Sequence, residues 1–182
     1  MSFVGIDVGA KGGMALLSVD GAVLHLRPMP SMCGKFNVAL MLESLREIDE
    51  HARLHSKDGV RLAVMEHVGA FPGQGVSSMF SFGYNAGAIE GCVSALRWPY
   101  QLVRPQLWQK MMHVGIHSAV DPKVKSLMAA KRLFPKETFL ATTRSSKPHD
   151  GIVDAVLMAE YARRTHGGLP PIPPPARVSL AV

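Results

Sequence analysis

Two apolar stretches that predict buried strands each contain a carboxylate. Asp7 lies within FVGIDV at residues 3–8, and Glu66 lies near the end of LAVMEHV at residues 62–68. An ionised carboxylate that is buried without a partner costs several kcal/mol, so each must be paired, protonated or bound to a cation. Asp7 alone could also open a glycine turn after a strand that ends early. Because Glu66 is a second acid in a predicted buried strand, the pair favours a chemical function over a structural one.

Glycines surround the first of these acids. Because side chains alternate along a strand, Gly5 and Gly9 lie on the same face as Asp7. We expect that face to be bare, so that a metal ion or a phosphodiester can approach the carboxylate closely.

A second pair of acids lies near the C-terminal end of the chain. Asp150 and Asp154 are four residues apart in an amphipathic segment, which stacks them on one face of a predicted helix. His149 adjoins this pair, as His67 adjoins Glu66. Either histidine could be a ligand, a proton carrier or an ordinary structural side chain.

Convergence of all four acids requires a cation. Two carboxylates about 4 Å apart repel by around 4 kcal/mol at an effective dielectric of 20, against a total domain stability of about 5–15 kcal/mol. With no histidine or cysteine at ligand spacing, oxygen donors suit Mg²⁺, with Mn²⁺ able to substitute, better than zinc. Two such ions could activate a water and stabilise the leaving oxygen in phosphodiester hydrolysis.

Hydrophobic periodicity and turn residues predict the elements that hold these acids. The chain opens with a three-stranded antiparallel meander whose second turn, Asp20-Gly21, has the signature of a type I′ hairpin. Cys33–Phe36 is expected to be loop. Strands are then predicted at 61–68 and 99–104, and helices at 37–54, 76–96, 106–112, 121–134 and 149–164.

Three glycines recur at every fourth residue of the predicted helix 76–96. Gly83, Gly87 and Gly91 together cost roughly 2–3 kcal/mol relative to alanine, so something must approach this stripe closely. Packing of a neighbouring helix is the simplest explanation, and a partner subunit or a nucleic-acid strand are the others. Polar residues interrupt the segment too often for a membrane helix.

Composition indicates one folded domain with a basic surface. The chain has 182 residues, of which 47% are hydrophobic and 19% charged, and its net charge is +6. Residues 1–166 form the predicted domain, and the proline-rich segment 167–182 forms an extended tail. Cys33 and Cys92 are expected to be buried free thiols. The sequence lacks a secretory signal, so we expect a cytoplasmic protein, in the host cytoplasm if its source is viral.

The excess of basic residues favours a polyanionic partner. The helix that begins after Asp121-Pro122 and the loop TTRSSKP at 142–148 are both basic, with no acid following the cap in that helix. Together with residues near the acids, they supply the candidates for DNA contact, which are Lys11, Phe71, Gln74, Lys110, Lys123, Lys125, Arg144 and Lys147.

Five segments resemble a known family. They are GIDVGAKGG at 5–13, MEHVGAFPGQG at 65–75 with the glycine-striped helix that follows, RPQLWQK at 104–110, KRLFP at 131–135 and KPHDGIVDA at 147–155. The element order, with acids on the first strand, the fourth strand and the last helix, looks like the ribonuclease H-like fold. Within it the pattern is similar to RuvC-type Holliday junction resolvases, especially their phage-borne branch.

The resemblance implies an α/β fold with a central five-stranded mixed sheet, three antiparallel strands followed by parallel ones, flanked by helices. It also implies a homodimeric endonuclease that binds four-way junctions and other branched DNA and nicks two strands symmetrically. Divalent metal would be held by Asp7, Glu66, Asp150 and Asp154, with His149 as a further candidate, and Phe71 would match the aromatic wedge of the family.

Two other functions share some of these features. Actin-like and sugar-kinase ATPases begin with a similar motif, but they need a second lobe for which 182 residues leave no room. A junction-binding protein that does not cleave DNA would keep the basic surface and use the acids structurally.

Overall fold

The computed structural model describes residues 1–67, 69, 73 and 75–168. Its centre is a five-stranded mixed sheet made of β1 (Ser2–Asp7), β2 (Gly13–Ser18), β3 (Val23–Pro28), β6 (Val60–Glu66) and β7 (Tyr100–Val103). The strand order is β3-β2-β1-β6-β7, and β1 pairs antiparallel with β2 and parallel with β6. The predicted sheet is confirmed.

Five helices flank the sheet in the described part of the chain. They are α1 (Val38–His55), α2 (Val76–Ala95), α3 (Pro105–Met112), α4 (Pro122–Leu133) and α5 (Asp150–His166). The predicted caps are confirmed, since the Asn37 side chain accepts a hydrogen bond from Leu40 N, and the Asp121 side chain accepts from Lys123 N and Val124 N. These bonds satisfy amide groups that have no partner within the helix.

The core has two layers because successive side chains of β1 point to opposite faces of the sheet. Phe3 packs with α3, α4 and α5 on one face. Val4 and Ile6 pack with α1 and α2 on the other. The apolar residues of β1 are fully buried, as expected for a strand with a layer on each side.

The face of β1 that carries Asp7 is covered by a helix, which corrects the expectation that it is bare. A Cβ atom on Gly5 would lie 2.0 Å from the carbonyl oxygen of Ala155 and 2.5 Å from the amide nitrogen of Ala159. Backbone of α5 therefore fills the space that we assigned to a ligand. Gly9 has no such contact, and its nearest neighbour is Asp7 Oδ1.

Two local predictions are wrong. The β2–β3 hairpin forms, but Gly21 has a φ of 88° while Asp20 stays outside the left-handed region, so the turn is not type I′, which needs both. Cys33–Phe36 is not all loop: β4 (Ser31–Met32) and β5 (Lys35–Phe36) pair as a short ribbon around Cys33 and Gly34. Both of these turn residues adopt positive φ, which the tight connection requires.

The glycine stripe of α2 does not pack against a helix. A Cβ atom on Gly83, Gly87 or Gly91 would meet nothing within 4 Å, so the simplest explanation of the stripe is wrong for the described residues. Phe80 and Tyr84 on the same helix are 75% and 58% exposed. A partner subunit or nucleic acid remain hypotheses for this surface. No helix in the described ranges is both long and apolar enough to cross a membrane.

Two glycine substitutions test this account of the core. We expect Gly5→Ala to lower the free energy of unfolding by about 3 kcal/mol or more, because the new methyl group meets rigid backbone of α5. For the isolated chain, Gly91→Ala should raise the same quantity by about 0.5–1 kcal/mol, because it adds helix propensity in space that the chain itself leaves open. Urea denaturation followed by circular dichroism measures both, and equal stability of the two variants would contradict the packing described.

Candidate active site

Asp7 stands at the point where β1 ends. The strand stops at this residue, and the amide of Gly9 donates a hydrogen bond of 3.1 Å to Asp7 Oδ1, which closes a tight turn. Burial raises the pKa of the Asp7 carboxyl group, while the Gly9 bond and the nearby His149 ring lower it. The strand thus ends early, as one interpretation of the sequence expected, yet its last side chain is held in a mostly buried place.

Glu66 lies beside Asp7 because β1 and β6 are neighbouring parallel strands. Ile6 is in register with Met65, so the two acids follow at the same edge of the sheet. The pKa of Glu66 is raised to about 7, chiefly by burial and further by the charges of Asp7 and Asp154. The carboxyl ends of parallel strands are where α/β sheets bind ligands.

Asp154 reaches the same place from α5. This helix is fixed against β1 at Gly5 and against the β1–β2 turn, where Gly12 and Gly151 form an isolated parallel bridge. The pKa of Asp154 is raised to about 6, mainly by burial, although the nearby hydroxyl group of Ser126 lowers it. Its Oδ1 atom is buried without any hydrogen-bond partner.

Asp150 is less closely associated with this group. Its side chain is 59% exposed and forms an ion pair of 2.8 Å with the ammonium group of Lys123. Its charge raises the pKa of Asp154, but it is not among the groups that shift the pKa of Asp7 or Glu66. The structure therefore brings three of the four predicted acids together and leaves the fourth at the rim.

Two histidines adjoin the acids, as the sequence indicated. His149 caps the start of α5, and its buried Nδ1 atom has no hydrogen-bond partner. His67 is exposed, and its backbone amide donates to the carbonyl of Val103. With Glu66, His67 lines a cavity of about 260 Å³ whose far wall includes Gly83 and Gly87 of α2.

The donor set suits a divalent ion of the magnesium type. Three carboxylates offer hard oxygen ligands, burial raises the pKa of each, and Asp154 Oδ1 has no hydrogen-bond partner. In the described ranges, no three histidine, cysteine or acidic side chains are grouped so that they could hold a metal ion. Coordination of an ion by Asp7, Glu66 and Asp154 would therefore need a rearrangement of the site.

The basic candidates for DNA contact are spread over several elements of the fold. Lys11 lies in the β1–β2 turn, Lys110 on α3, and Arg144 and Lys147 in the loop before α5, all exposed. Lys123 pairs with Asp150, and the Lys125 ammonium group donates to the carbonyl of Ser118. Phe71 and Gln74 lie outside the described residues.

One polar residue next to the acids, Ser126, could not be predicted from the sequence. Ser126 of α4 is 4% exposed and lies next to Asp154. A single serine among the apolar residues of a helix carries no chemical signature, and only the packing of α4 against α5 shows its neighbour.

The mixed five-stranded sheet with its flanking helices is a ribonuclease H-like fold. A structure of Thermus thermophilus RuvC shares 18% identity with the chain, covers 94% of it and 100% of its own length, and superposes with a TM-score of 0.61. The structure of T. thermophilus RuvC in complex with Holliday junction substrate shares 15% identity over 94% and 99% of the two chains, with a TM-score of 0.60. The chain thus has a RuvC-like fold. No protein-family model and no curated protein matches the sequence.

Neutralising Glu66 should stabilise the protein at high pH. Because its pKa is raised on folding, the native state keeps this proton to a higher pH than the unfolded chain, and stability falls as the pH rises from 4.5 to about 7. We expect Glu66→Gln to raise the free energy of unfolding at pH 8 by about 2 kcal/mol and to flatten its pH dependence. Exposed Glu43→Gln is the matched control. Identical pH profiles for the two variants, measured by urea denaturation, would contradict the burial of Glu66.

Proposed function

We propose that the chain is a divalent-metal-dependent endonuclease that binds four-way junctions and other branched DNA, and that it belongs with the phage-borne RuvC-type resolvases. The observation that carries this proposal is the convergence of three partly buried acids from two parallel strands and a helix, each with a raised pKa. Such a concentration of like charge is costly, so it points to a function that requires it.

The similarity to solved structures supports branched DNA as the substrate class. A protein of the same fold is known in complex with Holliday junction substrate, and its likeness covers nearly the whole of both chains. The net charge of +6 and the exposed Lys11, Lys110, Arg144 and Lys147 suit a phosphate backbone around the acidic site.

Asp7, Glu66 and Asp154 would hold Mg²⁺, or Mn²⁺ in its place, and Asp150 could join them if its ion pair with Lys123 opens. When bound, such ions supply a water of lowered pKa and stabilise the charge on the leaving oxygen. The Gly9 amide fixes one Asp7 oxygen, which leaves the other for the ion. His149, with a buried and unpartnered Nδ1 beside Asp7, can take or give a proton at that atom.

A homodimer in the cytoplasm completes the proposal. A four-way junction has two-fold symmetry, and matched cuts on it call for two matched sites. The unfilled glycine stripe of α2 supports this state, because a second copy packing there would offset the cost of three helical glycines.

A junction-binding protein that does not cut DNA is the second candidate. It is favoured by the pair between Asp150 and Lys123, and by the lack of a ready three-ligand cluster among the described residues. In that case the acids would repel DNA locally and the basic residues alone would bind it.

Replacing Asp7 separates the two candidates. We expect Asp7→Asn to bind four-way junctions as tightly as the wild type but to lose Mg²⁺-dependent nicking by at least about a thousandfold, because the amide keeps the shape and loses the charge. Asp58→Asn, at an exposed turn, is the matched control and should cut normally. Gel assays with four-way junction, fork and linear duplex DNA measure both activities. Undiminished cutting by Asp7→Asn would refute the site.

Salt should weaken junction binding steeply. If about six phosphates are contacted, affinity falls roughly a thousandfold between 50 and 200 mM salt. Replacing both Arg144 and Lys147 by alanine should reduce the slope of log affinity against log salt by about two. Fluorescence anisotropy at several salt concentrations gives the slopes, and a flat response would remove nucleic acid as the partner.

A further inference from the structure

The third parallel strand brings an arginine to the edge of the sheet where the acids lie. Glu66, the last residue of β6, is in register with Val103, the last residue of β7. Arg104 follows directly and so lies beside His67, whose amide donates to the carbonyl of Val103 at 2.9 Å. Because neighbouring strands are about 5 Å apart, Arg104 stands about two strand spacings from Asp7, at the end of β1.

The backbone of Arg104 is fixed, whereas its side chain is not engaged. Pro105 begins α3 directly after it, and the carbonyl of Arg104 accepts a hydrogen bond from the amide of Leu107 at 3.0 Å. The side chain is exposed, and in the described part of the chain its guanidinium group forms no hydrogen bond or ion pair. A permanently charged group with five N–H donors is therefore open to an anionic ligand, and its planar shape suits phosphate.

Arg104 lines a cavity of about 580 Å³. His67 and Gln106 supply further polar groups to its wall, and Pro105 and Leu107 supply apolar ones. Leu107 is 56% exposed, so an apolar side chain faces solvent beside the guanidinium group. A cavity that combines a cation with apolar surface fits a nucleotide, which has an anionic phosphate group and a sugar and base with apolar faces.

This cavity adjoins the acidic site without sharing its charge. His67 also lines the cavity of about 260 Å³ that contains Glu66, so the two cavities have one side chain in common. Arg104 forms no ion pair with either Asp7 or Glu66, and it therefore does not neutralise the acids. A DNA strand whose phosphodiester group lies at the acids would place a neighbouring nucleotide within reach of this cation.

We infer that Arg104 and Leu107 form a nucleotide subsite, in which Arg104 holds a phosphate group of the cut strand close to the phosphodiester that is hydrolysed. Leu107 packs against the sugar or base of the same nucleotide. This inference rests on the proposed function, because it assigns these residues to the strand that the proposed nuclease cuts. A contact of this kind positions the strand and carries no base specificity.

A scan of single phosphates tests the subsite. In a set of four-way junctions, each phosphate near the cut is replaced in turn by an uncharged methylphosphonate, and affinity is measured by fluorescence anisotropy without divalent metal. We expect Arg104→Gln to weaken binding of the unmodified junction by about tenfold, since a hydrogen bond to a charged group is lost. At one position within about two nucleotides of the cut, methylphosphonate should weaken wild-type binding similarly and leave the variant unaffected.

Three further variants sharpen the measurement. Arg46→Gln removes the same charge from an exposed position on α1 and should keep the whole wild-type profile. Arg104→Lys keeps the charge and should recover part of the affinity. Leu107→Ala should weaken binding but retain the loss at the phosphate that Arg104 holds. All of these side chains are exposed, so circular dichroism should show wild-type folding in each variant.

The outcomes separate this inference from the proposed function. If Arg104→Gln keeps every loss that the wild type shows, or if the phosphate it no longer senses is far from the cut, the subsite is refuted and the nuclease proposal stands. Failure of the wild type to cut junctions in Mg²⁺ would overturn the nuclease and, with it, the assignment of Arg104 to a cut strand.

Discussion

The architecture depends on the close contact between the backbone of α5 and the strands beneath it. Gly5, Gly13 and Gly151 lie where any side chain would collide with the opposing main chain, and the bridge between Gly12 and Gly151 joins the start of the helix to the β1–β2 turn. Because the helix cannot move outward without breaking these contacts, Asp154 is held at a fixed place relative to Asp7. The position of Asp154 is thus set by glycines, because their lack of a side chain lets the backbones of the helix and the strands touch.

The acids themselves work against stability. Burial and mutual repulsion raise the pKa of Glu66 to about 7 and of Asp154 to about 6, so at neutral pH the fold carries charge that it would be more stable without. Residues that lower the stability of a fold in this way are concentrated at functional sites. The two apolar layers that cover β1 offset the loss of stability that the acids cause.

Sequence patterns predicted the elements well because those patterns act locally. Asn37 and Asp121 cap their helices through bonds to residues two or three positions away, and alternation along β1 sets its two faces. The predictions that were wrong concern contacts between residues far apart in the sequence. Gly5 was expected to face a ligand, but it faces α5. The α2 glycines were expected to pack against a helix, but they do not. The pairing of Asp150 with Lys123 and the hydrogen bond between His113 and Ser126 join separate elements, which no spacing along the chain reveals.

The order of the elements along the chain has a consequence for biosynthesis. β1 leaves the ribosome before the helix that covers it, α5, which is the last element in the described part of the chain. Until that helix emerges, the apolar side of β1 and β2 stays uncovered, which slows folding and invites aggregation or chaperone binding. A nascent chain without α5 also lacks Asp154, so the acidic cluster assembles only when this last helix has docked.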